Sequence, residues 1–232
     1  MVGLPQLLRQ LPDLTIMLCG KRISPIPVAK DLGVFLDQYL SHEEHIRKTV
    51  ASCMNKLIQI NRIKHLIDKE TLLLIINSLV FSRLFYCSSV WSNTSATNIY
   101  KLQLVQNFAA RIILGLRKYY HISAGLRSLR WLNVKQRLMV NDAVMMHKCL
   151  KGLSPCYLSN KFSTRATIHD RQTRYRDSLN IPSSRITAGQ RVFYYRGVKV
   201  WNNLSSDLRE IINAKVFKRR LINELIHNMS DL

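Results

Sequence analysis

Metal-assisted phosphoryl or nucleotidyl transfer needs two or three carboxylates that converge on the ions, and this sequence has no Asp-Asp pair with which to begin. Its acidic doublet, Glu43-Glu44, stands in the expected first turn of a helix, where the helix dipole favours negative charge without any further role. The surrounding His42-Glu43-Glu44-His45 lacks the H-E-x-x-H spacing that puts two imidazoles and a Glu base on one helix face. Neither phosphate-cradling glycine pattern is present, and no Ser or Cys is marked by a neighbouring base as a nucleophile. His147, Cys149, Cys156 and His169 are the one set to weigh for zinc, but a C-x6-C interval without a C-x2-C knuckle is a poor template. The five cysteines are odd in number and far apart, which fits reduced thiols, with Cys53, Cys87 and Cys149 expected as small core residues. No catalytic residue, metal site or cofactor is expected in this chain.

What remains is positive charge. Residues 111–220 hold 23 Lys and Arg against 5 Asp and Glu, a net of +18, whereas residues 1–110 hold 12 against 7, a net of +5. Such a one-sided field selects a polyanionic partner, and solubility alone is better served by mixed signs. Within the basic half, cations alternate with aromatics: Arg117-Lys118-Tyr119-Tyr120-His121, Arg174-Tyr175-Arg176, and Arg191-Val192-Phe193-Tyr194-Tyr195-Arg196. Guanidinium groups neutralise phosphates and rings stack on bases, so Arg117, Lys118, Arg171, Arg174, Arg176, Arg191 and Arg196 are candidate nucleic-acid contacts. Trp201, Phe193 and Tyr195 also fit as ordinary core anchors. The longest apolar run, 72–81, is broken by Asn77 and Ser78 and is shorter than the ~20 residues of a membrane span. Pro5, Arg9, Pro12 and Asp13 interrupt any signal-peptide pattern, so an intracellular protein with no membrane partner is expected.

The elements that must position these cations follow from periodicity. Residues 14–19 and 32–37 read as strands of a hairpin-like start. Ser41 and Glu44 form a capping-box pattern, and Ile46, Val50, Cys53, Leu57 and Ile60 carry a helix to about residue 66. Asp68 caps a helix to residue 84 that is apolar nearly all round and so is expected at the centre of a bundle. A third helix over 95–114 ends at Gly115, with Lys101 and Arg111 on its polar face as further candidate contacts. Asn133 and Gln136 cap a helix that stops at Gly152. Residues 164–191 lose the helical period, and a short sheet or hairpin is expected near 179–186 and 191–195, followed by a last helix over 216–229. The expected fold class is mainly α: a helical bundle preceded by a short β-hairpin and followed by a small basic α+β region, with divisions at 1–40, 41–116 and 117–232.

Two stretches carry a resemblance. Lys30-Asp-Leu-Gly-Val-Phe-Leu-Asp37, with Leu40-Ser41 and His45-Ile46, resembles the K-Y-L-G-V-x-L-D…L-S…H-I segment of LINE-type (non-LTR, jockey-like) retrotransposon reverse transcriptases. Tyr86-Cys87, Val90-Trp91, Leu104-Val-Gln-Asn107 and Ala109-Ala-Arg111 look like that family's helical thumb. Leu129 to Arg137, Pro182 to Arg185, Gly189 to Arg191, Arg196-Gly197 and Trp201-Asn202 are similar to its post-thumb region. The resemblance implies that residues 1–40 are the tail of a polymerase palm, with Lys30 near the primer grip. It makes 41–116 a thumb-like bundle holding template and primer, and 117–232 a nucleic-acid-binding region to which Arg130, Lys135, Arg137 and Arg185 would contribute. The family's catalytic Asp residues would lie upstream of this chain, so a complete parent RNA-directed DNA polymerase would use Mg and this chain none. Implied partners are an RNA template, an RNA–DNA hybrid or target DNA, and the missing palm and fingers, in the nucleus or a cytoplasmic ribonucleoprotein. The alternative is a captured retroelement remnant that serves as a protein-interaction module.

Overall fold

A computed structural model describes residues 2, 3, 8, 10, 15–168, 176–185 and 187–228. The architecture is mainly helical with a β start, as expected. The start consists of two antiparallel hairpins: β1 (Ile16–Leu18) with β2 (Lys21–Ile23), and β3 (Val28–Asp31) with β4 (Val34–Asp37). In the second, Asp31 faces Val34 and the two linking residues, Leu32 (φ 42°) and Gly33 (φ 88°), are both left-handed, the requirement of a tight hairpin turn that matches strand twist. The helices follow as α1 (Glu43–Ile63), α2 (Lys69–Ile76), a π-turn (Asn77–Phe81) leading into α3 (Ser82–Leu84), α4 (Ser88–Trp91) and α5 (Ala96–Leu114). Then come α6 (Ser123–Ser128), α7 (Val134–Leu150), α8 (Cys156–Ser159), α9 (Thr187–Arg191), α10 (Phe193–Asn202), α11 (Ser206–Glu210) and α12 (Ala214–Asn228). Contacts divide the chain into two compact units, residues 1–87 with 94–117, and residues 88–93 with 118–232. Among the described residues, no helix is long and apolar enough to cross a membrane.

In the first unit the capping box expected at Ser41 does not form. The Asp37 carboxylate takes its place, accepting from the N–H groups of Tyr39 (3.0 Å), Ser41 (3.0 Å) and His42 (2.6 Å) and from the Ser41 hydroxyl (3.1 Å), while Glu44 turns to Arg47 and Lys48. The end of β4 thus fixes the entry of α1. The centre of the unit is also α1, which packs on β4, α3 and α5 and buries Ile46, Cys53, Leu57 and Ile60. The next helical segment is not central, since Leu74 is 65% exposed and Leu79 48%. It buries a single stripe, Leu72, Ile76, Val80 and Leu84, at four-residue steps. Such steps drift by ~40° each around an α-helix. The π-turn, closed by Ser82 N–H to the Asn77 carbonyl, winds more slowly and holds the stripe to α1. Ser95 caps α5 and Gly115 (φ 66°) ends it, as expected.

The second unit is organised by α7, whose Asn133–Gln136 capping box is present. Helices α4, α10 and α12 pack on it around Met146, Val198, Trp201, Leu208, Phe217 and Leu221. The close approach of α10 depends on Gly197, where a Cβ would lie 2.7 Å from Met146 Sδ. The hairpin expected near 179–186 and 191–195 is absent among the described residues, because 193–202 is helical and lays Phe193, Val198 and Trp201 along the core. Aromatic content gives that stretch a strand-like composition, and burial of one helical stripe overrides it. Leu179 is bridged to Thr164 and clamped by the Asn202 amide, which donates to the Leu179 carbonyl (2.9 Å) and accepts from its N–H (3.0 Å).

Candidate nucleic-acid interface

The first unit contains an open cleft of about 640 Å³. One wall is β3–β4 with Lys30, Gly33 and Phe35, the floor is α1 with His45, Lys48, Thr49 and Lys56, and the other wall is Ser78, Leu79, Ser82, Arg83 and Tyr86. Ser78, Leu79, Ser82 and Arg83 belong to the π-turn and α3, whose buried stripe includes Val80 and Leu84, and Tyr86 follows in the turn after α3. Four cations face the cleft and no carboxylate lines it. Lys48 Nζ lies 3.9 Å from the Phe35 ring centroid and Lys30 Nζ 5.7 Å, so the ring holds two ammonium groups at the cleft edge. Lys48 also meets Glu44 at 3.2 Å, and Arg47 and Lys48 together hold that exposed carboxyl at about 2. His45 accepts the Phe35 N–H on Nδ1 at 3.4 Å. Burial, then the charges of His42 and Arg83, push its imidazole below the ordinary range, so it adds no positive charge at neutral pH. The Tyr86 hydroxyl donates to the Leu32 carbonyl at 3.0 Å and ties the hairpin tip to the helical wall. Phosphodiester oxygens suit the four cations, and Phe35 and Tyr86 add ring edges beside them.

The fourteen cations singled out from sequence have different fates. Lys30 enters the cleft. Lys101 is engaged at the surface, donating to Asn98 Oδ1 at 3.2 Å and lying 3.9 Å from Glu43. Arg111 and Arg137 are half-buried, and burial lowers the Arg137 guanidinium below its ordinary value. Arg117, Lys118, Arg130, Lys135, Arg176, Arg185 and Arg191 are exposed. Tyr119 beside Lys118 is 89% exposed, so its ring is open for stacking. Arg171 and Arg174 lie outside the described residues, as does His169. Arg196 is a structural link instead of an open contact. Its Nε donates to Asp142 Oδ2 at 2.8 Å, and its other nitrogens reach the Arg191 and Ser89 carbonyls.

Sequence reasoning missed Lys48, Lys56 and Arg83. The sign that was available is the polar stripe His45, Thr49, Ser52, Lys56 on α1, an unusual lining for a helix otherwise buried on that side. Trp201 is core, 6% exposed, and Phe193 and Tyr195 are half-buried. Cys87 is exposed at φ 47° and is not the core residue expected, whereas Cys53 and Cys149 are buried. His147 is wholly buried, its Nε2 on the Ile211 carbonyl at 2.7 Å.

Compared with protein-family models, curated proteins and solved structures, the chain matches none. The magnesium of a complete polymerase also finds no fit here: no carboxylate lines the cleft, and among the described residues no three His, Cys, Asp or Glu gather as a metal site.

Proposed function

We propose that this chain is the thumb and C-terminal portion of a LINE-type reverse transcriptase, a nucleic-acid-holding segment without catalytic residues of its own. The observation that carries this is the cleft at the Lys30–Asp37 segment, lined by Lys30, Lys48, Lys56 and Arg83 and by no acidic residue, with Glu44 pairing Lys48 outside the lining. The order of family-like motifs along the sequence supports the same reading. In it, the cleft grips the backbone of a template–primer duplex while the exposed cations of residues 117–232 add contacts along the strands. The polymerase chemistry, with its metal ions, belongs to the palm and fingers that this segment would join.

The test is binding of the purified chain to an RNA–DNA hybrid across a salt series. Log K is expected to fall linearly with log salt, with a slope of about −0.9 per phosphate neutralised on a duplex. Lys48→Glu and Arg83→Glu are each expected to weaken binding and to flatten the slope by about one. No binding at low salt, or cleft variants that bind like the parent, would overturn the assignment and favour the protein-interaction module.

A further inference from the structure

Tyr119 is 89% exposed, more than any other large apolar or aromatic side chain among the described residues. Aromatic rings stabilise a fold by burial, as Trp201 and Phe217 do in the core of the same unit. Tyr119 adds little of that kind, yet its place in the chain is well held. It stands in a turn with Lys118, and just beyond, the Leu126 N–H donates to the Ile122 carbonyl at 2.9 Å while Leu126 itself is buried. Lys118 Nζ lies 5.8 Å from the Tyr119 ring centroid, within the range in which an ammonium is drawn to a ring. Tyr120 follows, 60% exposed. Residues 71–141, which surround this turn in the sequence, hold nine Lys and Arg and no Asp or Glu. The turn therefore offers water an open ring and a cation, in a stretch of chain that supplies no carboxylate.

We propose that Lys118 and Tyr119 form a subsite for an unpaired nucleotide of a single-stranded nucleic acid, the ring stacking on the base and the ammonium neutralising its phosphate. The subsite deepens the nucleic-acid reading above and rests on it, but it uses no residue of the cleft. A base inside a duplex has both faces covered by its neighbours, so only an unpaired base can lie on the ring. A protein partner would need an apolar rim around Tyr119, whereas Lys118, Tyr120 and His121 beside it are exposed and carry polar tips.

The test compares binding of oligo(dT) with that of an abasic oligonucleotide of the same length, which keeps every phosphate and lacks the bases. The full chain is expected to bind oligo(dT) about tenfold more tightly, and Tyr119→Phe to keep that preference. Tyr119→Ala and Tyr119→Leu are expected to lose it, since neither side chain has a ring face. Tyr157→Ala removes a tyrosine that is 71% exposed on α8 between Cys156 and Leu158, and it is expected to bind like the parent. Lys118→Met is expected to weaken binding of both oligonucleotides and to flatten the salt slope by about 0.7, one phosphate of a single strand. Equal binding of the two oligonucleotides by the parent overturns the subsite, and so does a preference that survives in Tyr119→Ala or Tyr119→Leu. The cleft is read separately on the RNA–DNA hybrid, which Tyr119→Ala is expected to bind like the parent. Lys48→Glu and Arg83→Glu are expected to weaken hybrid binding and to leave the preference for oligo(dT) in place. A chain that binds the hybrid but does not distinguish the two oligonucleotides overturns the subsite alone.

Discussion

Arg196 Nε donates to Asp142 Oδ2 at 2.8 Å, with the arginine side chain 18% exposed and the aspartate 5%. The Ser92 hydroxyl also donates to this carboxylate, at 3.2 Å to Oδ2, so the group joins α4, α7 and α10. Removing one member strands a buried charge, and Arg196→Ala is expected to cost about 3 kcal/mol by urea denaturation. Replacing both partners with apolar residues, Arg196→Met with Asp142→Leu, is expected to recover most of that loss. A loss below 1 kcal/mol for the single variant would show that the pair is relieved by solvent.

Gly197→Ala places a Cβ within 3 Å of both Sδ and Cγ of Met146, a side chain with no exposed surface and hence no room to swing away. Overpacking of this kind costs about 1–3 kcal/mol. Combining it with Met146→Ala is expected to cost less than the two single losses added, measured as a coupling energy in a double-mutant cycle.

Acid sensitivity is expected in two steps. His45 has its folded value below 6.5, so between the two values the unfolded chain holds a proton that the folded chain refuses. Stability from this group is full above about pH 6.5 and falls as the pH drops toward the folded value, and His45→Gln is expected to remove that part of the slope. For Asp37, burial pushes the carboxyl up, but the N–H groups of Ser41, His42 and Tyr39 and the Ser41 hydroxyl outweigh it and leave the value below 3.8. Its contribution is present above about pH 3.8 and is lost as the pH falls through the folded value. Urea midpoints across an acid series, with Asp37→Asn alongside, separate the two.

Native alkylation is expected to label Cys19, Cys87 and Cys156, which are exposed, and to spare Cys53 and Cys149. Burial pushes the Cys53 thiol up to about 11, which removes the reactive thiolate at neutral pH. Peptide mass spectrometry before and after denaturation checks the pattern; early labelling of Cys53 would mean that α1 opens from the Val80 carbonyl it meets at 3.7 Å.

The helices were legible wherever a local signal was enough. The Asn133–Gln136 box, the Ser95 and Asp68 caps, and Gly115 as a stop all sit where the sequence puts them, because caps act within one turn of chain. The misses involve competing partners. Ser41 has the residue types of a capping box, but the Asp37 carboxylate, four residues back, accepts the Ser41 N–H that Glu44 would have taken. Residues 193–195 look strand-like until Met146 and Gly197 bring α10 against α7.

The amino-acid sequence by itself determined the mainly helical class, the β start, the lopsided positive charge and the lack of paired carboxylates, all of which depend on composition or on neighbours a few residues apart. The strand expected over 32–37 is instead split by the Leu32–Gly33 turn, and the one expected over 14–19 pairs locally, at 16–18, with 21–23. The tertiary structure alone decided which cations share a surface. Lys30, Lys48 and Arg83 come from three separate elements and meet only because the π-turn and the Tyr86–Leu32 hydrogen bond set the walls of one cleft. It also took Arg196 out of the binding surface, since burial beside Asp142 makes an internal ion pair the better use of that charge.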